Sequence, residues 1–549
     1  MPARPSFRPM QLPLPPIHTP SAAASAHAMS RAPMIRRHGA RLTYIMLSLL
    51  CLVHAQVAGA DEPVMPTEPS VLKETAVDLL HVASSFDADD PFDVNLRLGF
   101  EHQSRRAAIR RESNVAAAAS GGYTGLLDVA TYKQSTQRLI PQIAIGLFRD
   151  LQLSVNMPVI LADNRKLEER GSSASQPLAT MGLEGENLFS PNFVSPTRSG
   201  IEYLGVGLDL AIMNQSRNAA HPTWTLGIEG RFNVSEPMRA CNAQPKEGQV
   251  DCAYEADINR NGENDVLGSD FGQLAGQPEG SFSGKRKPGV SRGTTGLEAH
   301  AFVSKRVKYI EPYSGVSALF EFQGKNTAYG PFNLEGSLVN HPPVRGSVVV
   351  GLAVIPWEQP EKFRRVIFDF RVKGTYVSKG RDYSELFDAL GSSDAYSLRQ
   401  PYYNDYTLNR DPGTLTEQPS VVDPNSQRVN FTGLTSVQQY GDYEFRAQFT
   451  WQASKFVKFD LGGAFRLIQE HFITAERPCN PDVAGQVLRS GPCKVSDTSS
   501  SEAAAGKVAW KSGGLPNPNY RQAIDEPGQR FKVETSDGLR LWFNANVMF

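Results

Sequence analysis

One segment of the chain combines oxygen-bearing side chains at the alternate spacing that hard cations require. Asp257, Asn259, Asn261 and Asp265 stand in the pattern Asp-x-Asn-x-Asn-Gly-x-x-Asp, which matches the start of a calcium-binding loop. Alternate oxygens can converge on one cation, and the glycine permits a sharp turn. The pattern is incomplete, because Gly268 occupies the twelfth position, where a bidentate glutamate is expected. We expect either a structural calcium ion or an ion-free turn rich in Asn and Gly, and the sequence indicates no other cofactor.

Cysteine is the second residue type that could carry chemistry. Four of the five cysteines follow residue 60, and they form two close pairs, Cys241 with Cys252 and Cys479 with Cys493. Each pair falls within one polar segment. In an exported protein an even count of this kind predicts two local disulfides. Zinc ligation is the alternative, but the pairs lack the two-residue spacing that zinc sites favour.

Histidines beyond residue 60 are few, namely His81, His102, His221, His300, His341 and His471. A hydrolase would need a histidine beside a serine nucleophile or beside catalytic carboxylates. His102 and His471 fall near predicted strand ends, but no serine motif stands next to either. We therefore predict that the protein is not an enzyme, and an outer-surface hydrolase is the least favoured alternative.

Most of the chain alternates between apolar and polar residues with a period of two. In the segment from Phe92 to Phe100 every second residue is apolar, whereas Asp93, Asn95 and Arg97 share the opposite face. Further segments of this kind, each about as long as a tilted strand needs to cross a bilayer, are 136–148, 150–161, 201–213, 223–234, 294–304, 309–323, 345–357, 363–377, 441–453, 456–470 and 538–549. Together with the first segment they predict twelve strands.

The connections between these segments alternate strictly between long and short. The long ones are 104–135, 162–200, 235–293, 324–344, 378–440 and 471–537, and the short ones centre on Arg149, 214–222, 305–308, 358–362 and Ser454. An up-and-down transmembrane barrel with long extracellular loops, short periplasmic turns and both termini in the periplasm produces this rhythm. The loops 378–440 and 471–537 are long enough for another hairpin, so fourteen strands is the alternative.

Three tryptophans support the predicted barrel. Trp224, Trp357 and Trp451 all lie near short connections. Indoles at one level around a barrel are typical of the aromatic girdle at a membrane interface.

The polar faces of the predicted strands carry charge of both signs. Because a charge facing lipid is costly, we expect these residues to line the lumen: the bases Arg97, Arg231, Arg371, Lys373, Arg446, Arg466 and Arg540, and the acids Asp93, Asp209, Glu229, Glu298, Glu321, Asp369, Glu444 and Asp460. Opposed acids and bases would give a channel a transverse field. In a sealed barrel the same residues would pair across the interior.

The N-terminal sixty residues have the features of an export signal. Arg36, Arg37 and Arg41 precede an apolar stretch from Leu42 to about Val53, and small residues at 58–60 suit cleavage before Asp61. The remaining chain has 50 basic and 57 acidic residues, a balance that argues against nucleic acid as a partner. No apolar run is long enough for a transmembrane helix.

These observations divide the chain into three parts. Residues 1–60 are the signal with an N-terminal extension, residues 61–91 a periplasmic or lumenal segment, and residues 92–549 the barrel. Within the second part, the spacing of apolar residues predicts a helix over residues 70–84. This helix could rest in the periplasm, plug the lumen or fray, and a surface helix is the expectation that we favour.

The last eleven residues alternate from Leu539 to Phe549, with an apolar residue at every second position and phenylalanine as the final residue. This strand resembles the closing strand of outer-membrane β-barrel proteins of Gram-negative bacteria. The resemblance implies an outer-membrane location, lipid contact, and recognition of Phe549 by the machinery that inserts such barrels. For function, we expect a channel for passive transport of small solutes across the outer membrane, and a sealed structural or adhesive barrel acting through its long loops is the alternative.

Overall fold

The computed structural model describes residues 75–86, 92–113, 125–171, 176–182, 185–242, 251–252, 287–324, 327–329, 339, 341–393, 395, 398–401, 428–430, 432–475, 494–495, 515–516 and 530–549. All of them belong to one structural unit, Met65–Phe549.

Twelve strands form the wall of the barrel. They are β1 (Val94–Ser113), β2 (Gly125–Phe148), β3 (Leu151–Asn156 and Val159–Glu169), β4 (Arg198–Ile201 and Leu204–Met213), β5 (Thr223–Phe232), β6 (Thr294–Ser304), β7 (Ile310–Gln323), β8 (Arg345–Gln359), β9 (Arg364–Val377), β10 (Tyr440–Gln452), β11 (Val457–Ile468) and β12 (Ser536–Met548). β3 is interrupted at Met157 and Pro158, because proline has no backbone N–H to donate to the ladder.

Each strand pairs antiparallel with the next in sequence, and β12 pairs with β1 to close the barrel. In this closing pair Phe100 lies opposite Phe543 and Asn95 opposite Met548. Both ends of the barrel chain therefore meet at the end that carries the short turns. The prediction of a twelve-stranded up-and-down barrel is confirmed.

The outward face of the strands is apolar, as the alternation predicted. Its exposed side chains include Leu98, Phe100, Leu208, Ile228, Val316, Phe370, Phe445, Leu461, Leu541 and Phe543. Trp224, Trp357 and Trp451 are 39–44% exposed and lie close to the short turns. Such a surface is stable against lipid tails and not against water, and closure leaves no unpaired strand edge. The chain is an outer-membrane β-barrel with periplasmic turns and extracellular loops.

The first hairpin is longer than the sequence predicted. We expected a loop over 104–135, but β1 has 20 residues and β2 has 24, so the ladder continues to Ser113 and resumes at Gly125. The inward side chains of this extension, among them Ala107, Ile109 and Ala130, are buried against loop residues. This burial stabilises strand structure beyond the level of the lipid.

The extracellular loops contain further short strands. Gly380–Asp382, Thr435–Val437, His471–Thr474 and Phe531–Val533 pair in that order and join β1, so they extend the wall upward. Phe193–Val194 pairs with β3. Three small hairpins stand apart from the barrel sheet: Cys241–Asn242 with Asp251–Cys252, Arg399–Pro401 with Arg428–Asn430, and Lys494–Val495 with Leu515–Pro516. None of these described strands adds a thirteenth or fourteenth strand to the wall of the barrel.

Helical structure is sparse. In the described ranges the α-helices are α1 (Gln176–Ala179) and α2 (Phe387–Gly391), and two single 3-10 turns cover Asp78–Leu80 and Pro360–Lys362. Among the residues that the structure describes, no helix has the length and hydropathy to cross a membrane.

Candidate functional site: the barrel lumen

The residues Thr75–Phe86, which we name the plug segment, lie inside the barrel at its periplasmic end. The first half is fixed to β7, where the Glu311 carboxylate accepts hydrogen bonds from the Thr75 hydroxyl and, at 2.8 Å, from the backbone N–H of Ala76. The favoured expectation of a surface helix is wrong for these residues. Only the turn Asp78–Leu80 is helical. Side chains of the wall accept hydrogen bonds from backbone N–H groups of this segment that a helix would otherwise pair internally.

The second half of the plug segment is fixed to the opposite side of the mouth. The backbone N–H of Ala83 donates to Gln152 of β3 at 2.8 Å, and the Ser85 hydroxyl donates to the carbonyl of Gly146 in β2 at 2.5 Å. A Cβ at Gly146 would lie 2.2 Å from the carbonyl oxygen of Ser84, so this approach requires glycine. The plug segment thus crosses the periplasmic mouth from β7 to β2 and β3.

The wall offers this segment an apolar seat. Val77 and Leu80, which are 1–2% exposed, pack among inward-facing side chains of β6 to β9: Phe302, Tyr313, Val349, Ala353, Ile355 and Ile367. The sequence carries a signal for this seat, since the stretches 348–350 and 352–355 of β8 are apolar on both faces. A strand with two apolar faces needs an apolar cover on each side.

Asp78 is the only carboxylate of the plug segment. Its Oδ1 accepts a hydrogen bond from Lys458 Nζ of β11, and its Oδ2 accepts one from Gln448 Nε2 of β10, both at 3.0 Å. The plug segment therefore combines an apolar contact on one wall with an ionic contact on another.

The register of the strands places all ten of the principal predicted lumen residues on the inward face, beside the plug segment or above it. Seven of the ten belong to four ion-paired groups: Glu229 and Glu298 with Arg231 (2.7 and 2.5 Å), Asp369 with Arg371 (2.9 Å), Asp442 with Arg466 (2.5 Å), and Glu444 with Arg540 (2.7 Å). Asp460 accepts from Thr450 at 2.7 Å and from Asn546 at 2.9 Å. Arg446 lies over the Trp542 ring, 4.2 Å from its centroid.

Charge is divided between two sides of the lumen. Acids predominate from β4 to β7, with Asp209, Glu229, Glu298, Glu311 and Glu321, whereas bases predominate from β9 round to β2, with Arg97, Arg138, Arg371, Lys373, Arg446, Lys458, Arg466 and Arg540. The side chains of the Glu229–Arg231–Glu298 and Glu444–Arg540 groups are 15–27% exposed. Water therefore reaches the middle of the lumen, where a transverse field acts on any solute.

His300 and Asp209 form a side-chain hydrogen bond in the lumen, with the two atoms 2.9 Å apart across β5. Gly227 lies between them in the register, and a Cβ there would meet both side chains within 2.3 Å. This pair could not be predicted from the sequence, because only the register of β4, β5 and β6 brings the two residues together. The other histidines considered lie elsewhere: His102 on the outward face of β1, and His471 stacked on Tyr440 with ring centroids 4.4 Å apart.

The extracellular end of the barrel is filled by two loop regions, 185–200 and 383–393, which we name the cap. Leu188, Phe189 and Leu390 are buried there against inward side chains of β1 and β2, and every residue of α2 is buried. Arg198 and Asp388 join the two regions through a buried ion pair. The charged chamber therefore lies between the plug segment and the cap.

A groove of about 530 Å³ lies on the outside of the wall, at outward positions of β11, β12 and β1 to β3. Phe465 and Leu539 form its apolar part, whereas Arg106, Lys133 and Lys166 form its basic part. The groove marks the upper edge of the apolar belt and is separate from the lumen.

The other predicted sites are placed only in part. Cys241 and Cys252 form the predicted disulfide between two short strands. Cys479, Cys493 and the calcium pattern Asp257, Asn259, Asn261 and Asp265 lie outside the described residues, so the second disulfide and the ion remain predictions. Within the described residues, no group of three or more His, Cys, Asp or Glu side chains is arranged to hold a metal.

No family model matches the chain, and no curated protein matches it. Solved structures show a distant likeness. An outer membrane channel from Pseudomonas putida F1 is 7% identical, with 83% of this chain and 96% of that chain covered and a TM-score of 0.28. A Pseudomonas aeruginosa FadL homologue is 8% identical over 83% and 90%, with a TM-score of 0.29, and the protease OmpT from Escherichia coli is 7% identical over 83% and 98%, with a TM-score of 0.22. Scores this low carry no argument about function, so the assignment of the fold rests on the chain's own strands and their outer surface.

Proposed function

We propose that the protein is a channel for passive transport of small polar or ionic solutes across the outer membrane, closed at its periplasmic end in this conformation by the plug segment. The observation that carries the proposal is the charged, water-accessible chamber between the plug segment and the cap. A purely structural barrel could fill its lumen with apolar side chains, as this barrel does at both ends. Charged side chains of both signs that face a water-accessible space suit the passage of polar or ionic solutes.

The contacts of the plug segment are of a kind that would allow it to move out of the lumen. Its polar anchors are separate hydrogen bonds spread along the segment, among them those to Glu311, Gln152, Gly146, Asp93, Lys458 and Gln448, and its apolar seat holds two large side chains. Each hydrogen bond contributes roughly 0.5–1.5 kcal/mol, or up to about 3 kcal/mol where a charge is involved. The plug segment can therefore be held in the closed position by many weak contacts and can still be released without unfolding of the barrel.

Single-channel conductance in planar bilayers tests the proposal. We compare the full mature chain with a variant lacking residues 75–86 and with Leu80→Asp, which places a charge in the apolar seat. Both variants should give larger and more frequent conductance steps than the unaltered protein. Heat-modifiable gel mobility controls for correct barrel assembly.

A sealed barrel that acts through its loops is the second candidate, and the buried core of the cap favours it. A further variant distinguishes the channel from the sealed barrel. It combines the deletion of residues 75–86 with Asp388→Ala, which loosens the cap. If this variant assembles and still does not conduct, the channel proposal fails and the sealed barrel stands.

Two further expectations belong to the proposal. We propose that the insertion machinery reads Phe549, whose ring is 58% exposed at the periplasmic rim. We also propose a structural calcium ion for the pattern at Asp257 to Asp265. Hydrolase activity is not part of the proposal.

A further inference from the structure

The binding of Asp78 resembles the binding of a ligand more than the packing of a structural residue. Each oxygen of its carboxylate faces one donor of the wall, Lys458 Nζ on one side and Gln448 Nε2 on the other. The donors come from neighbouring strands, so their separation is set by the rigid barrel and not by the plug segment. The wall therefore presents a preformed clamp for one carboxylate.

Gln448 is held in the orientation that the clamp requires. Its side-chain oxygen accepts hydrogen bonds from the Arg446 guanidinium and from Trp542 Nε1, the latter at 3.2 Å. With the oxygen engaged, the amide N–H groups must point towards Asp78 and Thr450. An amide fixed as a donor recognises an acceptor, and a carboxylate is an acceptor only.

The wall around the clamp has an excess of positive charge. Arg97, Arg371 and Arg446 all lie within electrostatic range of Asp78. Within the described part of the chain, neither Arg97 nor Arg446 has a carboxylate within 4 Å.

Two wall acids lie nearby, but both are engaged. Asp460 is held by Thr450 and Asn546, and Asp369 is held by Arg371 and the Tyr313 hydroxyl. Withdrawal of Asp78 would therefore remove the carboxylate that pairs with Lys458 at 3.0 Å and leave the positive charges of Lys458, Arg97 and Arg446 less compensated, at a point where the two paired side chains are each only 14% exposed.

We propose that the clamp formed by Lys458 and Gln448 is the binding site for the carboxylate of a transported solute, and that Asp78 occupies it as an internal substitute. The inference rests on the proposed channel and names its substrate class as small carboxylates. A solute carboxylate that enters the clamp displaces Asp78, and the plug segment then loses its ionic anchor. Binding of the solute thus favours the open state, because the solute and Asp78 compete for one site.

Acetate and acetamide form a matched pair of probes, since they correspond to the side-chain groups of aspartate and asparagine. The experiment measures open probability in planar bilayers at constant ionic strength, with either probe added to the unaltered protein. Acetate should raise the open probability and acetamide should not. In Asp78→Asn the basal open probability should rise by about tenfold, the factor that one charge-assisted hydrogen bond of roughly 1.4 kcal/mol represents, and acetate should then have little further effect.

Asp93→Asn is the matched control. Asp93 also binds the plug segment, accepting the N–H of Ser84 at 3.0 Å, but it lies outside the clamp. This variant loses the same charge and should keep the response to acetate. Lys458→Gln should lose the response to acetate.

The outcomes separate the inference from the proposed function. If removal of residues 75–86 opens the channel but acetate has no effect on the unaltered protein, the channel stands and the carboxylate site is wrong. The site is also wrong if acetate acts equally on Asp78→Asn and on the unaltered protein. If neither removal of the plug segment nor loosening of the cap produces conductance, the proposed function itself fails.

Discussion

The guanidinium of Arg198 and the carboxylate of Asp388 form a two-pronged ion pair that is almost completely shielded from water. Arg198 Nη1 donates to Asp388 Oδ2 at 3.1 Å and Nη2 donates to Oδ1 at 2.5 Å, with the two side chains 0% and 5% exposed. Asp388 also accepts the backbone N–H of Cys241 at 3.0 Å. One carboxylate therefore connects the start of β4, the helix α2 and the disulfide-bonded hairpin.

This relationship predicts where the cap is most vulnerable. Asp388→Ala leaves a buried guanidinium without its partner, which typically costs about 3–5 kcal/mol. We expect faster hydrogen exchange and faster proteolysis in residues 185–200 and 383–393, with barrel assembly unchanged. Glu236→Ala, which removes an exposed partner of Arg239, is the control and should change stability by less than about 1 kcal/mol. Equal exchange rates in both variants would show that the pair does not hold the cap.

A second prediction concerns the pH dependence of the extracellular region around His471 and Glu385. Burial lowers the pKa of His471, which stacks on Tyr440 and donates to the carbonyl of Gln469 when its Nδ1 is protonated. Burial by itself would raise the pKa of Glu385, but the charges of Arg105 and His471 together with hydrogen bonds from Arg105 and the backbone outweigh burial and hold that pKa below its usual value.

Both groups have a lower pKa in the folded protein than in the unfolded chain, so each contributes stability that is lost as the pH falls. The loss begins below about pH 6.5 for the histidine and below about pH 4.3 for the glutamate. Hydrogen exchange in residues 471–474 should therefore be faster at pH 5.5 than at pH 7.5, after correction for intrinsic rates. His471→Phe should remove this difference, and its persistence in that variant would assign the effect to another group.

The sequence was sufficient to predict the wall of the barrel. Period-two alternation located all twelve strands, and the bounds of β6 agree residue for residue. This success has a physical cause, since lipid on one face and polar lumen on the other impose a strict pattern on each strand. The pattern weakens where both faces contact protein, so the extension of β1 and β2 and residues 162–169 of the second segment of β3 were predicted as loops.

The contents of the lumen could not be predicted in the same way. Alternation says which residues point inward, but it does not say which strands face one another or what lies between them. The contacts of Asp78 with Gln448 and Lys458 join residues about 370 and 380 positions apart, and no local pattern encodes such a distance. The apolar inner face of β8 was the available signal that something would cover it.

A third prediction tests the sides of the membrane. Asn187 and Ser190 are exposed at the end with the long loops, and Asn218 and Glu361 are exposed at the end with the short turns. In a background without the native cysteines, a cysteine at either of the first two positions should react with an impermeant maleimide in intact cells. A cysteine at either of the other two should react only after the outer membrane is opened. The reverse pattern would invert the topology.

The last prediction concerns the closing strand, where assembly and stability can be separated. Phe549 is tied to Val94 by two backbone hydrogen bonds, from Val94 N to its carbonyl oxygen at 3.1 Å and from its own N to the Val94 carbonyl at 2.9 Å. Phe549→Asp retains both, so the direct loss is the burial of one ring in lipid, about 2 kcal/mol. A modest loss of stability would leave most of the protein assembled. If the terminal aromatic is read during insertion, assembly should fail far more completely than this loss explains, and unfolded protein without heat-modifiable mobility should accumulate in the periplasm.

Two glutamate variants separate recognition of the terminus from the placement of charge. Leu541→Glu points outward into lipid, where a charge is costly, and it should assemble poorly. Gln103→Glu on the neighbouring strand points into the lumen opposite Arg540, and it should assemble normally. Because the two substitutions introduce the same side chain at neighbouring positions of one strand pair, a difference between them can come only from the face that each occupies. Equal assembly of all three variants would contradict both the assignment of faces and the role of Phe549.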